Sequence, residues 1–207
     1  MNTKITGEII FYYTHPMLFD GVQHQSAYMC KNITTKEGED ISERYAITDD
    51  EEPMFHLCLA DVVPDIYEAL KCITYGINPA FYEAMSGTDF QALIHPENPD
   101  DSDDSDETDE TDETEETNET EETQEEEPVT DTNTYVVFRV QDNGAYNPNA
   151  VNQVDAAILS AIEGGVLSNF YLRVTHPDLT KMSASMYTAQ MQVLAKRIIP
   201  LRRKSAL

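Results

Sequence analysis

No run of 18 apolar residues occurs in this chain, which excludes a membrane-crossing helix of ordinary length. The N-terminal stretch MNTKITGEIIFYYTHP has no apolar core long enough for a secretory signal. The expected setting is therefore soluble and intracellular, or assembly from an intracellular pool. Cysteine is scarce. Cys30, Cys58 and Cys72 are odd in number, show no CxxC spacing and sit inside apolar patterns, so they read as reduced, buried thiols. Among the 5 histidines there is no HxxxH or HExxH arrangement, and no cysteine stands at ligand spacing, so no metal site is expected. His15, His95 and His176 each precede a proline, which makes them turn residues, while His24 and His56 stand alone. There is no GxSxG, no Cys–His signature and no glycine-rich phosphate loop. Carboxylates are abundant, but in so acidic a chain their pairing says nothing specific. The expectation is a non-enzymatic protein with no catalytic residues and no cofactor.

Basic residues are also few, with Lys+Arg 13 against Asp+Glu 39 and a net charge of −26. The imbalance is local. Residues 100–127, DDSDDSDETDETDETEETNETEETQEEE, carry −18 and contain no apolar residue. With nothing to bury, such a run cannot offset the entropy of ordering its backbone, so an extended, solvated coil is expected. It lacks the glycine that bends a calcium-binding loop. Its Ser and Thr mostly have another Ser or Thr three residues on, where acid-directed kinases read an acid. Mimicry of nucleic-acid charge usually needs charges fixed on a folded surface. A solvated linker remains, with a reach of roughly 30 Å. On either side the charges differ in sign: residues 1–99 carry −11 and residues 134–207 carry +4, which favours association of the halves with each other or with oppositely charged partners.

Residues 4–14 are β-branched and aromatic and predict a strand that ends at His15-Pro16. Phe19-Asp20-Gly21 predicts a turn, residues 26–34 a second strand and residues 41–47 a third, together an antiparallel meander. Asp49-Asp50-Glu51-Glu52-Pro53 supplies an acidic start for a helix to about residue 74. Its inner face would be Phe55, Cys58, Leu59, Val62, Ile66, Leu70 and Ile73, and Pro64 predicts a kink or a break. Asn78-Pro79 predicts another helix, stopped by Gly87, and residues 88–94 are ambiguous.

Tyr135–Gln141 alternates as a strand that can join the meander. Asn147-Pro148 caps a long helix ending at Thr175-His176-Pro177. Its Gly164-Gly165 pair costs about 2 kcal/mol relative to two alanines, which points to close packing or a bend. A last helix from about residue 178 is stopped by Pro200, with Leu179, Met182, Met186, Tyr187, Val193, Leu194 and Ile198 inward. Lys196 and Arg197 complement its dipole. Arg202, Arg203 and Lys204 lie beyond the proline, and the five together form the candidate partner-binding group, suited to an acidic neighbouring subunit or to phosphates.

The fold class expected is α+β, a small antiparallel β-sheet packed with three to four helices and carrying a long disordered acidic insertion. Residues 1–99 and 134–207 would be the halves of one composite domain, since neither seals a core alone, with residues 100–133 as the linker; two separate small domains are the alternative.

Three segments carry a resemblance: TDDEEPMFHLCLADVVPDIYEALKCIT at 48–74, AILSAIEGGVLSNFYLRV at 157–174 and MYTAQMQVLAKRIIPLRRK at 186–204. In pattern and order the chain resembles small virion proteins of tailed phages that infect Bacteroidetes hosts, of the neck, connector or tail-ring kind. The acidic insertion departs from that pattern. The resemblance implies a homo-oligomeric ring subunit between portal and tail, in contact with other virion proteins, with no membrane and no sequence-specific nucleic acid as partner. It would be assembled in the host cytoplasm and carried in the virion. The alternative is a charge-mediated binding or regulatory protein whose acidic run engages a basic or DNA-binding partner.

Overall fold

The computed structural model describes residues 1–5, 7–31, 44–71, 82–95, 134–142 and 147–201. The elements in chain order are β1 (Asn2–Ile5), β2 (Glu8–Thr14), α1 (His15–Cys30), α2 (Glu52–Leu70), β3 (Tyr82–Ser86), α3 (Gly87–Ile94), β4 (Thr134–Gln141), α4 (Pro148–Val174) and α5 (Pro177–Ile198). The four strands form one sheet in the order β1-β2-β4-β3, antiparallel throughout, so the fold is α+β.

β4 lies between β2 and β3, so strands from both sides of the acidic run build the same sheet. Strand side chains alternate between faces, and the register places Ile9, Phe11 and Tyr13 opposite Val140, Phe138 and Val136. These six join the helical core. The other face, Ile10, Val137 and Tyr135, is covered by Phe90 of α3, whose ring stacks on Tyr135 at 4.2 Å. Covering both faces explains why IIFYY and YVVF read as nearly continuous apolar runs. At the border of the second cluster the Arg139 guanidinium donates to Glu8 Oε2 at 2.7 Å.

α4 is the central post of the helical layer, with α1, α2 and α5 packed around it. It buries Val151, Val154, Ile158, Ile162, Leu167 and Tyr171 on several sides. It runs unbroken through Gly164-Gly165, so of the two roles open to that pair the structure has close packing. A Cβ on Gly165 would lie 2.7 Å from Val62 Cγ1 of α2 and 2.9 Å from Tyr187 Cε2 of α5. α2 likewise continues through Pro64 without dividing, and its inner face is the one expected, with Val63 added. Ile73 lies outside the described residues.

Several expectations are corrected. Residues 4–14 are not one strand: Gly7, at φ 84°, turns the chain between β1 and β2, a backbone conformation that glycine adopts without strain. His15-Pro16 ends the pairing but also starts α1, because the Thr14 side chain accepts from the Met17 amide and proline occupies the first turn. The expected turn at Phe19-Asp20-Gly21 and the strand from Ser26 therefore fall within a helix. Its buried stripe is Leu18, Val22, Ser26 and Cys30, at four-residue spacing. Ser26 is accommodated there because its hydroxyl donates to the Gln23 carbonyl and accepts from the Ile47 amide, both at 2.9 Å. Residues 44–47 form no strand, and the rest of the expected second and third strands lies outside the described residues.

The helix expected from Asn78-Pro79 is replaced over residues 82–86 by β3, paired with β4. Gly87 opens α3 rather than closing a helix, with Ser86 accepting from the Asp89 amide. The three histidines that precede prolines sit at or beside helix boundaries, and His176 caps α5 by accepting from the Leu179 amide. Cys30 and Cys58 are free and buried, and burial pushes both thiols up from their ordinary range. Cys72 and residues 100–127 lie outside the described residues.

Candidate interaction surface

α5 is the element that carries the candidate residues, and its phase decides what it shows to solvent. The core side is set by Leu179, Ser183, Leu194 and Ile198. Ser183 takes a core position because its hydroxyl donates to the Thr180 carbonyl one turn earlier. That choice rotates Met182 and Val193 out of the core. Both are 45% exposed, against the inward placement expected from apolar spacing. Met186 is half-buried at the margin and Tyr187 packs between helices, its hydroxyl donating to Asp65 Oδ2 of α2 at 3.1 Å. Two apolar stripes overlap on α5, one for the core and one that, Met186 apart, the described residues leave exposed. Along the second run Met182, Met186, Ala189 and Val193, at spacings of four, three and four residues; the first three of these line a shallow groove together with Asp178, Lys181 and Ser185.

The basic end follows directly. Lys196 and Arg197 occupy the last turn of α5, where they complement the negative end of the helix dipole. Lys196 is exposed, and the Arg197 guanidinium donates to Gln153 Oε1 of α4 at 2.6 Å. After Ile198 the chain tightens into a short 3₁₀ turn, Ile199–Leu201, in which Leu201 is buried and pins the end of the helix to the core. Arg202, Arg203 and Lys204 lie outside the described residues. Two of the five candidate cations are thus placed together at one end of the apolar stripe, and Lys181 stands at the other.

Three polar clusters elsewhere have structural explanations. Asp155 of α4 accepts from the Tyr13 hydroxyl at 2.6 Å and from Asn2 Nδ2 at 2.9 Å, tying the first two strands to α4. The His15 and His56 rings lie 4.9 Å apart where α1 and α2 begin. Burial, then the neighbouring His56, holds His15 below the ordinary histidine range, and the Glu52 carboxylate opposes them. Glu163 is pushed up by burial and accepts from Gln25 beside Gly21, in the seam between α1 and α4. Among the described residues no group of three or more His, Cys, Asp or Glu can hold a metal ion, and no helix is long and apolar enough to cross a membrane.

No family model, curated protein or solved structure matches the chain. The functional reading therefore rests on the residues themselves.

Proposed function

We propose that the chain is a non-enzymatic structural subunit of a tailed-phage virion, part of a head–tail connector, neck or tail ring. It works by being covered by copies of itself and by neighbouring virion proteins. The observation that carries this reading is the solvent flank of α5. Met182, Met186, Ala189 and Val193 form a continuous apolar strip, bounded by Lys181 and by Lys196 and Arg197, on a helix whose adjacent side is anchored in the core. An apolar strip with a charged rim is the surface expected of an assembly interface.

The acidic run favours the second reading, a charge-mediated binding protein. Its −18 is concentrated in one segment of the sequence between α3 and β4. Deleting residues 100–127 separates the two. For the structural subunit, light scattering coupled to size-exclusion chromatography should give the same multimer with and without the run, at the same melting temperature. A deletion that abolishes salt-sensitive capture of a basic partner while the protein stays monomeric would support the second reading and contradict the first.

A further inference from the structure

We infer that copies of the chain associate head to tail, the apolar flank of α5 in one copy seating against the outward face of α2 in the next. The inference deepens the reading of the chain as a self-assembling subunit and rests on it for why copies meet. It adds which two surfaces do so.

The two faces are complementary in shape of chemistry and in sign. α2 contains Glu52, Asp61, Asp65 and Glu68, all exposed, and neither Lys nor Arg. Asp61 and Glu68 lie beside Leu57, 55% exposed, on the outward side, with Ala60 and Pro64 on the following turns, whereas Glu52 faces His15 and His56 at the start of the helix. α5 contains Lys181, Lys196 and Arg197 against the single acid Asp178. Each helix therefore offers a short apolar strip within a charged frame, one acidic and one basic. The α2 acids already have engagements within the chain: Asp61 with Arg173 at 2.6 Å, Asp65 with Tyr187, Glu52 with the His56 ring at 3.7 Å, and Glu68 with Lys71, the residue that follows the helix, at 2.5 Å. All remain open to solvent and to a second cation.

The α5 strip also turns away from the α2 of its own molecule. Tyr187 turns toward α2, where it meets Asp65, and Met182, Ala189 and Val193 lie roughly 120–160° round the helix from it. A subunit that joins two unlike faces makes heterologous contacts, which close into a ring or run on as a filament.

Other occupants fit less well. A symmetric antiparallel pairing of α5 with α5 would bring Lys181 of one copy near Lys196 and Arg197 of the other, setting like charges together at both ends. The chain's own residues 100–127 match the cations but have no apolar residue to cover Met182 and Val193.

The test uses two charge-reversed full-length chains, Lys181→Glu/Lys196→Glu and Asp61→Lys/Glu68→Lys, all four sites being exposed. Sedimentation velocity is run on each and on their equimolar mixture. Each alone should associate at least tenfold more weakly than the unaltered chain while melting within a few degrees of it. The mixture should recover the association, because every contact between unlike copies is complementary again. Ala189→benzoylphenylalanine in a ¹⁵N-labelled copy should photo-crosslink to residues 56–64 of an unlabelled one. A mixture no better than either variant, crosslinks to α5 or to residues 100–127, or an unaltered chain monomeric at every concentration would each overturn the inference. Rescue with crosslinks to α2, but no such chain in phage particles, would leave the docking intact and remove the virion reading. Presence in particles with crosslinks elsewhere would do the reverse.

Discussion

Gly165→Leu is expected to destabilise the protein by about 3 kcal/mol or more, lowering the melting temperature by roughly 6–12 °C for a chain of this size. α4 meets α2 and α5 at this residue, and even a single Cβ would lie 2.7 Å from Val62 and 2.9 Å from Tyr187. Both neighbours are held: Val62 is in the core and Tyr187 is bonded to Asp65. The leucine has to separate two helices from the central one. Val62→Ala in the same chain should recover part of the loss by opening room on the α2 side. The adjacent Gly164→Ala should behave in the opposite way. There the atoms nearest the new methyl all belong to the terminal amide of Gln190, whose Oε1 is buried without a hydrogen-bond partner among the described residues. Pushing that amide toward water relieves the unpaired oxygen, and alanine is favoured over glycine in a helix by about 1 kcal/mol. Thermal melts of the two variants should move apart. Equal shifts in the same direction would show that α4 is not clamped at Gly165.

Alkaline pH should unfold the protein steeply. Tyr13, Tyr171 and Tyr187 are all raised above the ordinary tyrosine range, in each case first by burial. The Asp155 charge adds to this at Tyr13, the hydrogen bond with Cys30 at Tyr171 and the Asp65 charge at Tyr187. The sign follows from which state ionises first. Unfolded tyrosine loses its proton near pH 10, whereas the folded groups hold theirs to higher pH. Stability is therefore complete below about pH 10 and declines above it. A fully buried tyrosine contributes at most about 1.4 kcal/mol per pH unit, and half-buried Tyr187 contributes less because solvent screens it, so the three together stay below about 4 kcal/mol per pH unit. A domain of ordinary stability, about 5–15 kcal/mol, should then unfold within a few pH units. Far-ultraviolet circular dichroism and tyrosinate absorbance followed together should show one set of tyrosines titrating first and the rest appearing with loss of helix. Tyr13→Phe should make the decline shallower. All 11 tyrosines titrating as one group near pH 10, with the helices intact, would contradict the packing described.

Where local signals and tertiary packing agree, the sequence already carries the element. α2 has an acidic, proline-containing start and an apolar stripe with helical spacing, and both survive in the structure. α4 has its Asn147-Pro148 cap and β4 its alternation. The failures lie where a distant partner decides. Asp20-Gly21 is a strong turn signal in isolation. Within α1 the missing side chain of Gly21 instead makes room for Glu163 of α4, 142 residues away by numbering. β3 is a strand because β4, on the far side of the acidic run, supplies its hydrogen bonds.

The candidate surface was half legible. Lys196 and Arg197 are visible as a basic cluster, but the apolar flank beside them is hidden in the sequence. Met182 and Val193 share helical spacing with true core residues, and only Ser183 in the core reveals the phase.

The proposal that the chain is a virion ring subunit is tested most directly by absolute quantification of the protein in gradient-purified particles of a tailed phage whose genome carries this sequence, measured against the portal protein. The account predicts a fixed ratio to portal, the same in every preparation and in emptied particles, as a closed ring requires. Absence from particles, or a ratio that drifts with purification, would contradict it.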